Sequence, residues 1–463
     1  MKKICVLGLG YIGLPTAAMF ATHGFQVVGV DVNEWVVETL NNGEVHIQEP
    51  GLKTLVQAAL KSGNLRVASK PESADAFIIA VPTPLCERVG EQESKGVEGN
   101  VALQKKANLN YVIAAAESIV PYLRPGNLVV LESTVPPNTT VEVLVPILER
   151  SGLNVSRNAE DHSPQHLDTS TPLLYVAHCP ERVLPGRILE ELVHNSRVIG
   201  GVDRTSAEMA KELYASFVEG EIFLTDATTA EMVKLMENTY RDVNIALANE
   251  FALVSEKLGI NVWEAIELAN RHPRVNILKP GPGVGGHCIP IDPWFIVQVE
   301  PELTSLIQTA RKVNDSMPLH VVELVKSALA EHKTKNRGQE TEDKTPSSVS
   351  SPQFARIACL GLAYKARVDD IRESPAIKVV ELLRAEGFQV RAYDPHVQMG
   401  KVPEQVDSLE AALDGADVVV ILTDHTEFRE LELRGYVVVD TRNVLDAQPE
   451  GNWGLCLKLG KGF

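Results

Sequence analysis

The first part of the chain alternates short apolar runs with amphipathic stretches. Ile4–Gly8 and Gln26–Val30 are β-branched runs that predict strands, and Pro15–Thr22 between them predicts a helix. Ala76–Val81 and Asn127–Leu131 are apolar throughout, as expected for strands that are buried on both faces. Strands that alternate with helices are typical of a parallel sheet covered by helices.

The period becomes helical between about residues 205 and 269. Ser206–Phe217, Thr228–Leu258 and Val262–Asn270 carry apolar residues at helical spacing. The middle stretch contains no Gly or Pro, and a helix of roughly 30 residues is long for a globular domain. We therefore expect it to form a spine between domains or a dimer surface.

A second alternating region near the C-terminus repeats the first. The matched positions are GLGY at 8–11 with GLAY at 361–364, GFQV at 24–27 with GFQV at 387–390, and Asp31 with Asp394. Chance similarity between two α/β units explains strands and helices, but it explains identical four-residue matches less well. The sequence thus predicts two similar α/β units that flank a helical middle.

These patterns divide the chain into four predicted segments. They are a first α/β domain at 1–203, a helical domain at 204–332, a polar, Ser/Pro-rich linker at 333–353 and a second α/β domain at 354–463. Two polar stretches, 87–106 and 154–171, are expected to be insertions in surface loops.

Composition and charge narrow the choice of partners. The 463 residues are 44% hydrophobic and 23% charged, as in ordinary globular proteins. The net charge of −17 argues against nucleic acid or an anionic membrane as a partner. Six dispersed cysteines without a C-x-x-C pair favour a reducing, cytoplasmic location.

The N-terminal apolar run has two interpretations. Met1–Lys3 followed by apolar residues to Ala21 resembles a signal peptide, but it also fits a first strand, a glycine turn and a helix. The second interpretation is favoured because Gln26–Val30 continues the alternation. No other segment is long and apolar enough to predict a membrane span.

Gly8, Gly10 and Gly13 form a G-x-G-x-x-G turn between the first strand and the first helix. Such a turn lets a dinucleotide pyrophosphate approach the backbone at the helix N-terminus. Asp31, which is 18 positions after Gly13, would bind the adenosine ribose and repel a 2′-phosphate. The motif favours NAD over NADP, and a purely structural glycine turn is the alternative.

A second glycine-rich segment, 281–286, precedes Cys288 and Asp292. Its Gly and Pro content predicts a loop whose backbone approaches a ligand or another segment closely. A cysteine in such a loop is either an activated nucleophile or a buried thiol, and the spacing alone does not decide between them. Asp292 could orient or deprotonate a neighbouring group.

Other polar residues lie on the long helix or follow predicted strands. Glu231, Lys234 and Asn238 recur at helical spacing, so they either stabilise an oxyanion or form a solvated face. The residues that follow strands are Thr134, Glu181, Lys365, Arg372 and Arg442. Ligands bind at the carboxyl ends of parallel strands, although surface salt bridges remain the alternative for the cations.

Together, these segments resemble the UDP-glucose/GDP-mannose dehydrogenase family. The motifs are, in order, GLGYIGLP, VPTP, ESTVPP, CPER, AEMVKLMEN, GPGVGGHCIPIDP, GLAYKARVDDIRESPA and DTRN. The resemblance implies an α/β protein with two Rossmann-like parallel-sheet domains that flank a helical central dimerisation domain. It also implies NAD as cofactor, a UDP-sugar as substrate, a homodimer and no metal.

The resemblance further implies a fourfold division of roles. Cys288 would form a thiohemiacetal and then a thioester, Lys234 and Asn238 would stabilise the oxyanion, Asp292 would assist proton transfer, and Glu181 would act as base in hydrolysis. Thr134 would complete the catalytic set, between cofactor and substrate. NAD would be bound by Gly8, Gly10, Tyr11, Ile12, Gly13, Asp31, Thr83, Thr134 and Arg372. The substrate would be bound by Glu181, Arg182, Lys234, Asn238, Arg274, Lys279, Gly285, Lys365 and Arg442, with Arg274 reaching the second subunit.

Two departures and two alternatives accompany this interpretation. The family often has an arginine after the acid at Asp31, where this chain has Trp35–Val37, and Pro185 replaces a carboxylate found in some members. A two-electron hydroxyacid dehydrogenase would need neither Cys288 nor the second Rossmann-like domain. A sensor that binds the nucleotides without turnover would not need the catalytic set.

Overall fold

The computed structural model describes residues 1–86, 105–157, 173–337, 355–445 and 453–461. The chain divides into two compact units. The first unit is Met1–Glu237 with Trp294–Leu303, and the second unit is Asn238–Pro293 with Thr304–Phe463. Residues of the predicted central domain, 204–332, belong to both units. Most of the predicted loop insertions at 87–106 and 154–171 lies outside the described residues.

The elements of the first unit follow the predicted alternation. The strands are β1 (Lys3–Leu7), β2 (Gln26–Val30), β3 (Leu65–Ala68), β4 (Ala76–Ile79), β5 (Leu128–Leu131), β6 (Asn154–Val155), β7 (Leu173–His178), β8 (Arg197–Gly201) and β9 (Ile222–Asp226). The helices are α1 (Gly13–Thr22), α2 (Glu34–Asn41), α3 (Leu52–Lys61), α4 (Asn110–Ile119), α5 (Val145–Leu148), α6 (Ile188–His194) and α7 (Arg204–Tyr214). A π-helical turn, Thr140–Leu144, precedes α5.

The described strands of the first unit form one sheet in the order β3-β2-β1-β4-β5-β7-β8-β9, with β6 paired to β7. All neighbours are parallel except β7 and β8. The prediction of a parallel sheet is therefore wrong for this one pair of strands. Two antiparallel neighbours can be joined without a connection that crosses the face of the sheet.

Alternate side chains of β1 enter two separate cores. Ile4 and Val6 pack in a cluster with α1 and α3, whereas Cys5 and Leu7 pack on the other face with α4 and α5. This two-sided burial explains why the strand is apolar at every position. The carboxyl ends of the strands are therefore the part of the sheet left for a ligand.

The elements of the second unit include the long helices. They are α8 (Ala227–Leu258, which begins in the first unit), α9 (Val262–Ala269), α10 (Asp292–Val299, which continues into the first unit), α11 (Ser305–Arg337), α12 (Pro375–Ala385) and α13 (Leu409–Leu413). The strands are β10 (Arg356–Leu360), β11 (Gln389–Tyr393), β12 (Val418–Ile421), β13 (Leu433–Asp440) and β14 (Trp453–Lys458). Helix α11 covers 333–337, the first part of the predicted linker, and 338–353 lies outside the described residues.

The second sheet is parallel throughout, in the order β11-β10-β12-β13-β14. Its first three strands repeat the order β2-β1-β4 of the first sheet. Helices α11 and α12 pack on one face, where Val325 and Val379 are fully buried. The predicted fold class, two Rossmann-like parallel-sheet domains with a helical region between them in sequence, is confirmed.

No helix in the described residues combines the length and the apolar composition that a membrane crossing needs.

Candidate active site

The glycine turn of the first unit has two glycines that the chain itself requires and one that it does not. Gly8 has φ +88°, and a Cβ there would lie 2.6 Å from the carbonyl oxygen of Ala80. A Cβ on Gly13 would overlap the carbonyl oxygen of Gly8. A Cβ on Gly10 would meet no atom within 4 Å. The space beside Gly10 and the start of α1 therefore fit a pyrophosphate.

Asp31 follows β2 and is half-buried. Its Oδ2 accepts a hydrogen bond from Leu9 N (2.9 Å) and its Oδ1 accepts one from Asn33 N (2.9 Å). Each carboxylate oxygen has a further lone pair, so both can still accept from a ribose. Beyond Asp31, Val32 is 89% and Trp35 61% exposed, which leaves apolar surface beside this carboxylate.

The loops after β4 and β5 are joined by side-chain hydrogen bonds. Thr83 Oγ1 donates to the carbonyl of Thr134 (2.7 Å), and Ser133 Oγ donates to that of Val81 (2.7 Å). Thr83 is buried and Thr134 is half-buried. Tyr11 and Ile12, at the start of α1, are also half-buried.

Glu181 lies in the loop after β7 and is 8% exposed. Its Oε2 lies 2.6 Å from Nη2 of Arg197, and its Oε1 accepts from the backbone N–H of Arg182 (2.6 Å). Arg197 on β8 also lies 3.9 Å from Glu132 Oε1. Burial, and then the charge of Glu181, raises the pKa of Glu132 to about 8. Sequence reasoning missed Arg197, for which no motif gave a signal.

Two neighbours of Glu181 are not arranged as ligand contacts. The Arg182 guanidinium pairs with Glu237 (2.5 Å) and donates to the carbonyl of Ser196. Cys179 is fully buried, and burial raises the pKa of its thiol to about 12. Its thiol is therefore protonated at neutral pH and is a poor nucleophile.

Helix α8 carries Glu231, Lys234 and Asn238 at successive turns. Glu231 is 1% exposed, and its Oε1 accepts from Thr140 N (2.7 Å) and Oγ1 (2.6 Å) at the start of the π-helical turn. Burial raises the pKa of Glu231 to about 7. Lys234 is 8% exposed, so a solvated face is the wrong interpretation for these first two positions.

Cys288 is the one exposed thiol among the six cysteines, all of which lie in the described residues. Its carbonyl accepts from the N–H groups of Ile291 (3.0 Å) and Asp292 (2.8 Å) at the start of α10. Asp292 is 2% exposed, and its Oδ2 accepts from Nδ2 of Asn238 (2.6 Å). The second unit thus places an accessible thiol, a buried carboxylate and an amide donor on neighbouring segments, and the buried-thiol alternative for Cys288 is wrong.

The glycine loop at 281–286 is in tight contact with the C-terminal part of the second unit. A Cβ on Gly281 would lie 2.5 Å from Nη1 of Arg442, and one on Gly285 would lie 2.7 Å from Cβ of Tyr364. Gly286 N donates to the carbonyl of Arg372 (3.0 Å). These contacts explain the glycines, because larger residues would push the loop away from the second sheet.

A chain of buried polar groups holds the other side of this loop. Gly281 N donates to Asn249 Oδ1 (2.8 Å), and Asn249 Nδ2 donates to Asn314 Oδ1 (2.9 Å). Asn314 Nδ2 donates in turn to Asp242 Oδ1 (2.8 Å), which also pairs with Arg311 (2.5 Å). Asn249 and Asp242 are fully buried. A buried hydrogen-bond network of this kind restricts the movement of the segment that it holds.

The remaining predicted cations are distributed over the second unit. Lys365 and Arg442 follow β10 and β13 and are half-buried, and Arg442 Nε donates to the carbonyl of Leu422 (3.2 Å). Arg372 pairs with Asp370 (2.7 Å). Arg274 and Lys279 are exposed. Lys279 lines a groove of about 920 Å³ together with Asn443, the neighbour of Arg442.

Asp394, the counterpart of Asp31, is 5% exposed. It accepts hydrogen bonds from Leu362 N (2.6 Å), Ala363 N (2.9 Å), His396 N (2.8 Å), Val397 N (3.1 Å) and His425 Nε2 (3.0 Å). Burial alone would raise the pKa of Asp394, but the hydrogen bonds from His425 and from the backbone outweigh it and lower the pKa to about 2. His425 Nδ1 accepts from Arg367 N (3.1 Å), so neither of its ring nitrogens is available to a metal.

Comparison with known proteins gives one consistent result. Three domain models of the UDP-glucose/GDP-mannose dehydrogenase family match this chain: the NAD binding domain at 2–218, the central domain at 228–316 and the UDP binding domain at 358–447. The UDP-N-acetyl-D-mannosamine dehydrogenase of Methanocaldococcus jannaschii is 50% identical, over 96% of this chain and 93% of its own length.

Two further proteins extend the comparison. The NDP-N-acetyl-D-galactosaminuronic acid dehydrogenase of Ralstonia nicotianae is 46% identical, over 96% of this chain and 97% of its own. The solved structure of a UDP-D-ManNAc dehydrogenase from Pyrococcus horikoshii is 42% identical and covers 99% of both chains, with a TM-score of 0.83.

Proposed function

The chain belongs to the UDP-glucose/GDP-mannose dehydrogenase family and is an NAD-dependent nucleotide-sugar dehydrogenase, and we propose that its substrate is UDP-N-acetyl-D-mannosamine. The C6 hydroxyl of the sugar is oxidised to a carboxylate. One CH₂OH group, two NAD⁺ and one water give one carboxylate, two NADH and three protons. The observation that carries this proposal is the exposed Cys288 thiol, four residues before the buried Asp292 that accepts from Asn238, in a chain with this family's three domains.

The second oxidation requires a nucleophile that adds to the aldehyde, and the Cys288 thiol can act as this nucleophile. An aldehyde carbon must become tetrahedral before it can give up a hydride, and Cys288 supplies the fourth bond by adding to it. The resulting thiohemiacetal is oxidised to a thioester. Water then attacks the thioester: the C–S bond breaks, a C–O bond forms, and the electron pair of the broken bond returns to sulfur.

The other residues bind, orient or move protons. Lys234 and Asn238 donate hydrogen bonds to the oxygen that becomes negatively charged, and Asp292 assists proton transfer. Glu181 takes the proton of the hydrolytic water. Lys365 and Arg442 bind the UDP group, and Lys279 and Gly285 line the nucleotide. Arg182 contacts the sugar. Its guanidinium pairs with Glu237 in this structure, so its side chain must move before it can make that contact.

When bound to the first unit, NAD would supply the hydride acceptor for both oxidations. The residues of the first unit fit it, since the space at Gly10 admits a pyrophosphate and the Asp31 oxygens retain lone pairs for a ribose. Tyr11, Ile12 and Gly13 would hold the phosphates at the start of helix α1, and Thr83 and Thr134 would contact the nicotinamide half. We assign Arg372 to NAD by family resemblance, although its guanidinium pairs with Asp370.

The first experiment measures NADH yield with limiting nucleotide sugar. UDP-N-acetylmannosamine is compared with UDP-N-acetylglucosamine, UDP-N-acetylgalactosamine, UDP-glucose and GDP-mannose. Two NADH per UDP-N-acetylmannosamine, with little from the others, support both the substrate and the mechanism. The same yield from another sugar would identify that sugar as the substrate. A yield of one NADH per sugar would contradict the four-electron oxidation.

A second experiment tests the covalent step. Cys288→Ser should bind NAD and UDP-sugar with unchanged affinity in calorimetry and form no carboxylate, with Cys86→Ser as the matched control. Full conversion by Cys288→Ser would disprove the covalent mechanism. A sensor without turnover predicts instead an inert thiol, so UDP-sugar should not protect Cys288 from alkylation.

A homodimer and a cytoplasmic location complete the proposal. One face of α8 exposes apolar side chains, which recur at intervals of seven, four, three and four residues. They are Tyr240, Leu247, Phe251, Val254 and Leu258, each 40% exposed or more. An apolar stripe of this length is typical of a helix that packs on a second subunit, and Arg274 would then reach the UDP group of the other protomer. The six thiols favour a reducing compartment.

Sedimentation equilibrium tests the dimer. The wild-type protein should have twice the mass of the chain, and Leu247→Glu with Phe251→Glu should give monomers. A monomeric wild-type protein would contradict the proposal.

A further inference from the structure

The first unit contains a buried cation that the proposed chemistry has not used. Arg197 on β8 is 4% exposed, and its guanidinium lies 4.7 Å from the ring centre of Tyr214 and 5.6 Å from that of Phe217. Such packing against two aromatic rings leaves the guanidinium few alternative positions. A buried charge is costly unless it is paired, so its partners define what it does.

Arg197 has two carboxylates within reach, but they are not equivalent. Glu181 forms a close ion pair, with Oε2 2.6 Å from Nη2, whereas Glu132 lies 3.9 Å from Nη1. Glu132 also accepts from Tyr214 OH (3.1 Å) and from Thr16 Oγ1 (3.3 Å). With its pKa raised to about 8, Glu132 is mostly protonated at pH 7, and the charge of Arg197 is then balanced by Glu181.

Both oxygens of Glu181 are therefore fixed. The ion pair with Arg197 holds Oε2, and the backbone N–H of Arg182 holds Oε1 (2.6 Å). The carboxylate cannot rotate about its last bond without losing one of these contacts. A lone pair on Oε1 then keeps a constant direction, as a group that must receive a proton from one particular water requires.

We propose that Arg197 is a positioning residue for Glu181: it fixes the orientation of this carboxylate for hydrolysis of the Cys288 thioester. This inference rests on the proposed function, which assigns to Glu181 the proton of the hydrolytic water. In that step the water proton passes to Glu181 and later to solvent, while the C–S bond breaks as described above. Arg197 itself exchanges no proton and touches neither substrate nor cofactor.

The experiment separates hydrolysis from the two oxidations. Arg197→Lys retains the charge but replaces the planar guanidinium that packs against Tyr214 and Phe217 by a flexible ammonium group. It should release two NADH per active site in a first burst at the wild-type rate, and its steady-state rate should then fall about 10- to 100-fold. Mass spectrometry of the acid-quenched enzyme should show the acyl group on Cys288, as it should for Glu181→Gln.

A matched control and a second variant keep the test decisive. Arg204→Ala removes an exposed arginine that pairs with Glu208 (2.7 Å) in the same unit, and it should leave every step unchanged. Glu132→Gln is a neutral isostere of the protonated acid, and it should hydrolyse the thioester within about twofold of wild type at pH 7. If Arg197→Lys does not fold, the Glu132→Gln variant is used to test the proposal instead.

The outcomes distinguish this inference from the function on which it rests. An Arg197→Lys enzyme that accumulates no acyl group, or that loses burst and steady state equally, overturns the positioning role alone, provided that Glu181→Gln accumulates the acyl group. A tenfold loss in Glu132→Gln also overturns it, because the charge of Arg197 would then serve Glu132. Absence of the acyl group in Glu181→Gln overturns the role of Glu181 and the inference together.

Discussion

The first turns of the two sheets begin alike and then diverge. Gly8 and Gly361 both have positive φ, +88° and +94°, and each donates its N–H to the last residue of the neighbouring strand at 2.8 Å. After Gly8 the chain enters helix α1 at Gly13, whereas after Gly361 it forms a loop, 362–374, before α12. The second turn therefore has no helix N-terminus at the position where the first would receive a phosphate.

The paired acids show the same divergence. Asp31 accepts two backbone hydrogen bonds and stays half-buried, so it can still bind a ribose. Asp394 accepts five and is 5% exposed, so its lone pairs are used within the protein. At the middle of the turn, Gly10 leaves open space, and its counterpart Ala363 is 1% exposed in the core.

The comparison teaches that one strand–turn–strand framework can bind anions in two ways. The first unit offers backbone N–H groups and a carboxylate, which suit a dinucleotide. The second unit closes its turn and carries Lys365 and Arg367 in the longer loop, two cations that suit the diphosphate of a nucleotide sugar. The repeat in sequence therefore does not imply a repeat in ligand.

The same substitution at the two acids should give the largest contrast. Asp394→Asn removes a buried charged acceptor from five donors and should lower the free energy of unfolding by about 3 kcal/mol. Asp31→Asn should lower it by less than about 1 kcal/mol and should instead weaken NAD binding. Urea unfolding and calorimetry with NAD measure the two effects. Equal stability losses would contradict the distinction between a closed and an open turn.

The pH dependence of stability should depend on Asp394. Its pKa is about 2 in the folded protein and about 4 when unfolded, so its contribution is present above pH 4 and is lost as the pH falls toward 2. The two-unit difference corresponds to about 2–3 kcal/mol. Urea unfolding between pH 2 and pH 5 should therefore show a shallower slope for Asp394→Asn than for wild type. Identical slopes would contradict the assigned pKa.

Exchanging the residues at the middle of the turns should sharpen the comparison. Gly10→Ala meets no protein atom, so the protein should remain stable while NAD binds about 10- to 100-fold more weakly. Ala363→Gly should leave NAD binding unchanged and cost about 1 kcal/mol of stability. Titration with NAD and thermal unfolding measure both variants, and normal NAD binding by Gly10→Ala would place the pyrophosphate elsewhere.

The smallest expected effect concerns the basic loop. Lys365→Ala should weaken binding of the UDP-sugar about tenfold through loss of one charge, without changing NAD affinity. Lys378→Ala, an exposed lysine on α12 that pairs with Glu381 (3.3 Å), is the control. Unchanged UDP-sugar affinity in calorimetry would remove Lys365 from the substrate site.

Local patterns made much of this fold predictable. Gln26–Val30 is a strand in full, and the glycine turn, the repeat and the long helix are where the sequence indicated them. The ion pair of Arg197 with Glu181 could not be predicted, because Glu181 lies in the loop after β7, Arg197 lies on β8, and no motif singles out Arg197. The hydrogen bond from Gly281 to Asn249 is equally non-local. The periodicity of a sequence indicates which residues share one face of a helix or strand. The contacts named here depend instead on which strands, loops and helices become adjacent in the fold.

The contact between Arg442 and Gly281 has a further consequence for how substrate affinity is used. The loop that begins at Gly281 carries Cys288 seven residues later, so a nucleotide that binds Arg442, as proposed above, would also limit the positions open to the thiol. Interactions with the part of a substrate that does not react can in this way lower the barrier at the part that does. Nucleotide sugars shortened at the diphosphate should then lose turnover as well as affinity.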